Sequence, residues 1–582
     1  MHECHDPGLP EPEHDVRMNR LFAGAVLLPA FVLLLWMQSL LDLRLPIQND
    51  ILIHLRWSEQ FLAALRDGWL LPRWTFASFG GLGDPTFSYY QPLFYYLTSA
   101  YALLGLSQPQ ALLWAALTPF VMLGLVVHFV ILRHHDGRHA LAGACFVVLC
   151  PVLFFLSAQM GAFPWTLSLP FSILFARESV REQPRPVWVA VLVALLCLSH
   201  LLSALIALLA AGVGRLVLHI PARRNLLAHA GWLFGAMLGL ALAAFFVYPA
   251  VTQLSLINPT GWTDGANFDW RRAFAFPTFT FLQYGLRWPA IQWPFALLTL
   301  ALSLLVLLAR RGEPTRDQVT ARRFAVVALV ALALGSELAY PLYAMLPPLQ
   351  KIQFPYRFVF VGSILASIAL VLHLLDGGWS RWGRLLRIGA VLVIAGYGAQ
   401  TLFLQWQLYR AGQRLPESIT YMQGTFGQPE YLPAVRGPQW KKYVQDGMLT
   451  GECRRLGIEC QATPDNDSHR FATVITTSEA VSVRLPRFAY PAWQLALDGV
   501  VQPLVADRAT GVVVAQLPPG RHVVSLRWIG LPADRTGKRI ALGALFILLG
   551  LFTYAFVRRR KQHGVSVRSA ELASTTSANV LR

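Results

Sequence analysis

Long apolar blocks alternate with short arginine-rich loops along almost the whole of this 582-residue sequence. Backbone that enters hydrocarbon must satisfy its polar groups internally, so blocks of this kind fold as helices that cross a membrane. Charged residues make up only 14% of the chain, whereas soluble domains carry about 25%. The net charge of +18 does not point to nucleic acid, because the arginines flank apolar blocks and never gather on one polar face. The six cysteines show neither metal-ligand spacing nor the density of a disulfide framework. Collagen-like, disordered and disulfide-scaffold classes are excluded.

About twelve spans can be drawn: 21–43, 111–132, 140–158, 163–175, 187–198, 201–218, 231–251, 290–309, 324–345, 358–375, 388–408 and 540–557. Several are short for a hydrocarbon core that needs about 20 residues. The 21–43 block is too long for the apolar part of a cleaved signal peptide, so it reads as an uncleaved anchor behind a cytoplasmic segment, 1–20. That start puts the short basic segments 133–138, 177–185, 215–224, 310–323, 381–387 and 558–561 inside. The longer, mixed-charge segments 44–110, 252–289, 346–357 and 409–539 then fall outside. The apolar stretch 92–106 would reverse this order if it crossed. It therefore reads as a helix along the outer interface, with Tyr89, Tyr90, Tyr95, Tyr96 and Tyr101 at headgroup depth.

The expected fold is mainly α, a multi-pass membrane protein with both termini cytoplasmic. Its transmembrane domain covers 21–408, a last helix follows at 540–557, and 558–582 is a cytoplasmic tail. Segment 409–539 changes character, with alternating runs such as ATVITT, VSVRL and HVVSLRW and turn signals at Asp498-Gly499 and Pro519-Gly520. These predict a compact β-rich domain outside the membrane. Cys453 and Cys460 lie in it, either bridged in an oxidising compartment or left as free thiols.

Transporters place ionisable residues near the midplane of their spans. Here Asp42 and Glu337 are the clear exceptions in nearly charge-free spans, and both lie near an outer end. Polar and aromatic residues collect instead in the 44–110 loop. Asp50 follows the first span, and His54 lies one helical turn on, so both share a helix face. Arg56, Glu59 and Arg66 continue that side; LPRW brings Arg73, GGLGDP brings Asp84, and YYQPL brings Tyr89 and Tyr90. A carboxylate at the membrane–water boundary suits proton removal from a hydroxyl beside a lipid phosphate. Tyrosine and tryptophan suit sugar rings. The competing reading of Asp50 is a helix-capping acid. GGLG lacks the Gly-Lys-Ser/Thr ending of a phosphate loop. Asp264, Asp269, Arg271 and Arg272 form either an acceptor-side flap or solvated loop charges, and His200 is either a buried structural histidine or an acceptor contact.

The pattern ND-x3-H-x-R, G-x2-LPRW and G-x-GDP-x-F-x-YYQPL-x-YYL, with PLQKIQFPYRF at Pro348–Phe358 and PEYLP at Pro429–Pro433, resembles a known family. It is that of bacterial membrane proteins with the 6-pyruvoyl-tetrahydropterin-synthase-related domain, relatives of YfhO-type proteins. YPAWQLALDG and LPPGRHVVSLRW resemble the YfhO-type β-domain. The resemblance implies a GT-C glycosyltransferase, which moves a sugar from a polyprenyl-phosphate donor to an envelope glycan, polymer or lipid acceptor outside the cytoplasmic membrane. Asp50 matches the acidic position of the first outer loop and is the expected catalytic base. His54, Arg56, Arg73, Asp84, Tyr89, Tyr90, Lys351 and Arg357 are the expected substrate-binding residues. Arg357 would hold the donor phosphate, against a competing reading as an interfacial snorkelling side chain. Ile51 follows Asp50 where some GT-C enzymes carry a second acid. A lone carboxylate is a poor cage, so a divalent metal is an open cofactor and no metal ligands are assigned. The zinc of the soluble pterin enzyme is not carried over, since His134, His135 and His139 sit in a cytoplasmic turn. A lipid or polysaccharide flippase and a non-catalytic envelope-assembly partner are the alternatives.

Overall fold

The computed structural model describes residues 13–46, 50–219, 226–258, 269–276, 289–309, 313–377, 380, 382–415, 427–463 and 466–554. Among them, six helices are long and apolar enough to cross a membrane: Met18–Leu35, Gln108–Ile131, Leu201–His219, Arg357–Leu375, Arg384–Arg410 and Pro532–Tyr554. The number becomes nine if each of three bent pairs is one span. Those pairs break at a Pro, a Gly or a short turn, for instance by 48° between Gly137–Val148 and Pro151–Gln159. The expected segments near 163–175, 187–198 and 290–309 are also helical, as Phe163–Ser179, Pro186–Ser199 and Pro289–Leu307.

Small residues let these helices approach closely. Gly231, Gly235 and Gly239 recur every fourth residue along Leu226–Leu242 and face Pro186–Ser199. A Cβ at Gly235 would stand 2.6 Å from the Pro186 carbonyl oxygen, and one at Gly239 2.5 Å from that of Ala190. Where lipid offers no hydrophobic drive between helices, such backbone proximity supplies the packing energy.

Among the described residues, the basic loops at 133–138 and 177–185 and the helix ends at Arg20, Arg215, Asp317 and Arg323 meet at one end of the bundle. The Arg20 guanidinium donates to the carbonyls of His128, Leu132, Arg133 and His135 at 2.6–2.8 Å, capping the end of the Gln108–Ile131 helix. Arg215 donates to the Ser179 and Arg181 carbonyls, Arg323 pairs with Glu182, and His135 meets Asp317 at 3.1 Å. His139 is bonded to Asp136. The long loops meet at the opposite end, where strand β1 (Arg44–Pro46) pairs with β2 (Gly412–Arg414). The chain leaving the first span is thus hydrogen-bonded to the chain entering the carboxy-terminal domain.

That domain holds two sheets. One has five strands in the order β3-β4-β10-β6-β7: β3 Glu459–Ala462, β4 Arg470–Thr477, β10 Gly520–Trp528, β6 Trp493–Leu497 and β7 Val500–Gln502. The other has three, β5 (Val481–Phe488), β9 (Val512–Leu517) and β8 (Val505–Ala506). Alternation of buried and exposed residues along β4 and β10 turns Phe471, Ile475, Val524 and Leu526 into one core. Asp498 (φ 50°) and Gly499 (φ 82°) form the β6–β7 turn, as the Asp-Gly signal predicts. Cys453 and Cys460 are bridged, tying the helix Met448–Leu456 to β3.

The domain does not close its core alone. Trp74, Phe79 and Leu82 of the 44–110 loop enter it, Trp74 lying 5.3 Å from the Trp493 ring and 5.5 Å from Trp528. The 44–110 loop is a wedge between bundle and sheets. Tyr89, Tyr95, Tyr96 and Tyr101, expected at headgroup depth, are held by protein partners in this wedge. In the helix Leu93–Leu103, Tyr95 is fully buried against His54, and the Tyr101 hydroxyl bonds Thr118. Tyr89 bonds both Tyr490 and the Gln253 carbonyl, and Tyr96 bonds the Leu70 carbonyl at 2.5 Å. A tyrosine has an apolar ring with a polar tip, and here each of these tips finds a protein partner.

Candidate functional site

Asp50 opens the helix Ile51–Arg66 at the domain-bearing end of the bundle. Its backbone is already helical (φ −91°, ψ 0°), and its side chain makes no capping bond. The carboxylate is therefore not engaged by its own helix. Gly161 seats it from behind: its φ is +65°, and a Cβ there would lie 2.5 Å from Ile51 Cγ1 and 2.8 Å from the Ile51 nitrogen. The Asp50 amide points to the Met160 carbonyl at 3.4 Å.

Arg357 begins the helix Arg357–Leu375, just after the Phe354-Pro355 break. Its guanidinium lies 4.9 Å from the Trp165 ring centre and 4.7 Å from that of Phe354. On Trp165 the His200 ring stacks at 5.4 Å and 8°. Two aromatic faces thus fix the cation through their quadrupoles. Among the described residues Arg357 donates no side-chain hydrogen bond and joins no ion pair, and its Nε is buried without a partner. Asp50 lies close enough to Arg357 for each charge to act on the other, yet they do not pair directly. The Asp50 carboxylate opens to solvent at the mouth of the recess while protein surrounds most of it. Lost solvation raises its pKa, and the Arg357 charge opposes the rise.

Tyr90 faces both charges and also Glu430. Its ring stands 4.8 Å from Trp57, 5.9 Å from His54 and 6.3 Å from Tyr431. Burial, followed by the charges of Asp50 and Asp84, holds the Glu430 carboxyl above its usual range. His54 is fully enclosed; its Nδ1 shares a 2.8 Å bond with the Tyr95 hydroxyl, and burial lowers its pKa to about 3, so it is neutral.

The other expected residues hold the loop together. Arg56 donates to the Ala77 carbonyl at 2.8 Å. Arg73 is buried, paired with Asp534 at 3.2 Å and donating to the Phe245 carbonyl at 2.7 Å. Asp84 is fully buried, accepting from the Thr75 hydroxyl at 2.6 Å, the Thr86 amide at 2.8 Å and the Thr86 hydroxyl. Burial still raises its pKa to about 6 against those bonds. Tyr89 braces the loop on the sheet domain. Lys351 is exposed at the end of the short helix Pro347–Gln350. The structure thus brings together Asp50, His54, Tyr90 and Arg357, and adds Trp165, Glu430 and Tyr431. His200 backs Trp165 while its Nδ1 accepts from the Ser203 amide. Asp269 caps a short turn at Arg271, and Asp264 lies outside the described residues. Among the described residues, no three His, Cys, Asp or Glu side chains converge as a metal site.

A cavity of about 600 Å³ lies below, between the helices Pro289–Leu307 and Arg384–Ala411. Phe155, Phe295, Leu298 and Phe403 line it, with Gln159, Gln400 and Gln407 as its polar members. Leu297 and Phe403 are half exposed on its outer side, so it opens sideways from the bundle. Its wall runs into the recess, since Phe155 packs on Phe360 at 5.8 Å and Phe360 on Trp165 at 5.4 Å.

No curated protein matches this sequence. Among solved structures, the chain is similar to the arabinofuranosyltransferase AftD from mycobacteria, at 15% identity and a TM-score of 0.40. That similarity covers 89% of this chain and 40% of the other, so this chain spans less than half of AftD's length. The family described as the 6-pyruvoyl-tetrahydropterin synthase related domain, a membrane protein, matches residues 87–407. Those residues are more than half of the sequence and include Tyr90, Trp165 and Arg357 of the recess, while Asp50, His54, Trp57, Glu430 and Tyr431 lie outside them. The chain belongs to that family of membrane proteins.

Proposed function

We propose that this protein is a membrane glycosyltransferase of GT-C type, which transfers a sugar from a polyprenyl-phosphate donor to an envelope glycan, polymer or lipid acceptor. The reaction takes place on the outer face of the bacterial inner membrane, where the long loops and the β-rich domain lie, and both termini are cytoplasmic. The observation that carries the reading is Arg357: a cation clamped between two rings, unpaired, beside a carboxylate and above an apolar side opening. A phosphate on an isoprenoid chain fits this combination, with its head at the guanidinium and its tail in the cavity. Asp50 takes the proton of the acceptor hydroxyl as the glycosidic bond forms, and the lipid phosphate leaves toward Arg357. Its raised pKa makes Asp50 a better base than an ordinary aspartate.

The test is transfer by purified protein in lipid, using a labelled polyprenyl-phosphate sugar. Asp50→Asn keeps the shape and removes the base, so transfer should fall by about 10²-fold or more with insertion intact. Arg357→Ala should raise the donor concentration needed by about 10- to 150-fold, corresponding to about 1.5–3 kcal/mol for a charge-assisted bond. Transfer unchanged in both variants would exclude the glycosyltransferase reading and favour a non-catalytic assembly partner. Movement of the intact lipid without bond formation would favour a flippase.

A further inference from the structure

The segment that returns from the bundle to the sheet domain carries a carboxylate into the recess. The turn Pro429–Tyr431 is pinned from behind: Ala434 donates to the Leu256 carbonyl and Asn258 donates to that of Leu432, both at 3.0 Å. Tyr431 is buried 6.0 Å from Trp57 and 6.3 Å from Tyr90. Glu430, its neighbour, is half-buried and lies close enough to Tyr90 for its charge to act on the phenol. Its carboxylate accepts from its own backbone amide and, among the described residues, has no hydrogen bond or ion pair to any other residue. A carboxylate has about four lone-pair sites, so acceptor capacity is left for the donors of a ligand. Aromatic edges next to an acceptor-only group suit a ring with apolar faces and several hydroxyls.

We propose that Glu430, with Tyr90 and Tyr431, forms a sugar-binding subsite for the acceptor, separate from the Arg357 side that takes the phosphate. This rests on the glycosyltransferase reading only for the word acceptor; the sugar subsite itself is testable without transfer. Glu430 accepts two hydroxyl protons as hydrogen bonds and so holds the attacking hydroxyl toward Asp50, while Asp50 receives the proton.

Intrinsic tryptophan fluorescence of the full-length protein, titrated with methyl hexopyranosides, tests this, because Trp57 lies against the subsite. The wild type should bind at least one of them saturably. Glu430→Gln, nearly isosteric, should raise the half-saturating concentration about 10-fold or more. Glu459→Gln, on an exposed strand edge, should leave it unchanged. A melting curve for each variant separates lost binding from lost folding, and Glu430→Asp should restore part of the affinity. Wild-type binding retained in a folded Glu430→Gln protein, or no saturable binding in the wild type, overturns the proposal. If sugar binding depends on Glu430 while wild-type protein shows no transfer, the glycosyltransferase reading falls and the subsite stands. If transfer occurs with an unchanged acceptor KM in Glu430→Gln, the subsite falls and the transferase stands.

Discussion

Asp50 and Asp84 show how one residue type takes different work from its surroundings. Asp50 is accessible and unbonded, so its carboxylate can exchange protons with a ligand. Asp84 is enclosed by three donors that fix the glycine loop. Asp84→Ala should lower stability by about 2–3 kcal/mol, since it strands those buried donors. Asp84→Asn retains the accepting oxygen and should leave transfer close to normal. The Asp84 pKa of about 6 lies above its unfolded value, so the folded state holds the proton longer. Its contribution to stability is therefore full below about pH 4 and declines as the pH rises toward 6, then levels. Thermal melts of wild type and Asp84→Asn across that window should differ in slope. Abolished transfer in Asp84→Asn with activity retained in Asp50→Asn would exchange the two assignments.

Among the elements, the Met160–Ala162 turn decides where Asp50 sits. It joins a bent helix pair to Phe163–Ser179 and meets the first turn of Ile51–Arg66 through Gly161. With φ +65° and no room for a Cβ, Gly161→Ala must push Ile51 and Asp50 outward or distort the turn. A displacement near 1 Å can cost about 10²-fold in rate. The variant should thus insert and bind donor lipid while losing transfer by about that factor; near-wild-type turnover would show that the Asp50 position is not critical. The same turn follows Gln159, a cavity residue, so one element carries both part of the cavity wall and the seat of Asp50.

Across the whole molecule, the 44–110 loop locks the β-rich domain to the bundle. Trp74 and Phe79 complete the sheet core, and Arg73 pairs with Asp534 at the start of the last span. Breaking a buried pair from one side typically costs about 3–5 kcal/mol. Arg73→Ala should therefore expose the β-rich domain to limited proteolysis well before the spans unfold, and equal protection in wild type and variant would remove Arg73 as the lock. Orientation is checked separately. Reporter fusions after Arg323 and after Asp465 should report opposite sides of the membrane, and one shared side would end the arrangement proposed from arginine counting.

Apolar block length, arginine placement and strand alternation are local properties, and each element they predict is governed by local physics. For that reason the helical blocks, the clustering of basic loops at one end, the Asp498-Gly499 hairpin and the strands between Arg470 and Trp528 could all be read from the chain. Asp50, His54, Tyr90 and Arg357 were legible as candidates because polar groups stand out against apolar sequence and repeat a family pattern. Trp165 gave no such signal, being one aromatic in an apolar helix, and PEYLP stood out as a stretch without showing which way Glu430 would face. Arg73, Asp84 and Tyr89 looked the same in sequence as the recess residues. Arg73 meets Asp534 and Tyr89 meets Tyr490, each partner more than four hundred residues on, whereas Asp84 is bonded within its own loop by Thr75 and Thr86. Only the packed fold could assign them, because desolvation is set by neighbours in space, whether the hydrogen-bond partners are near or far in the chain.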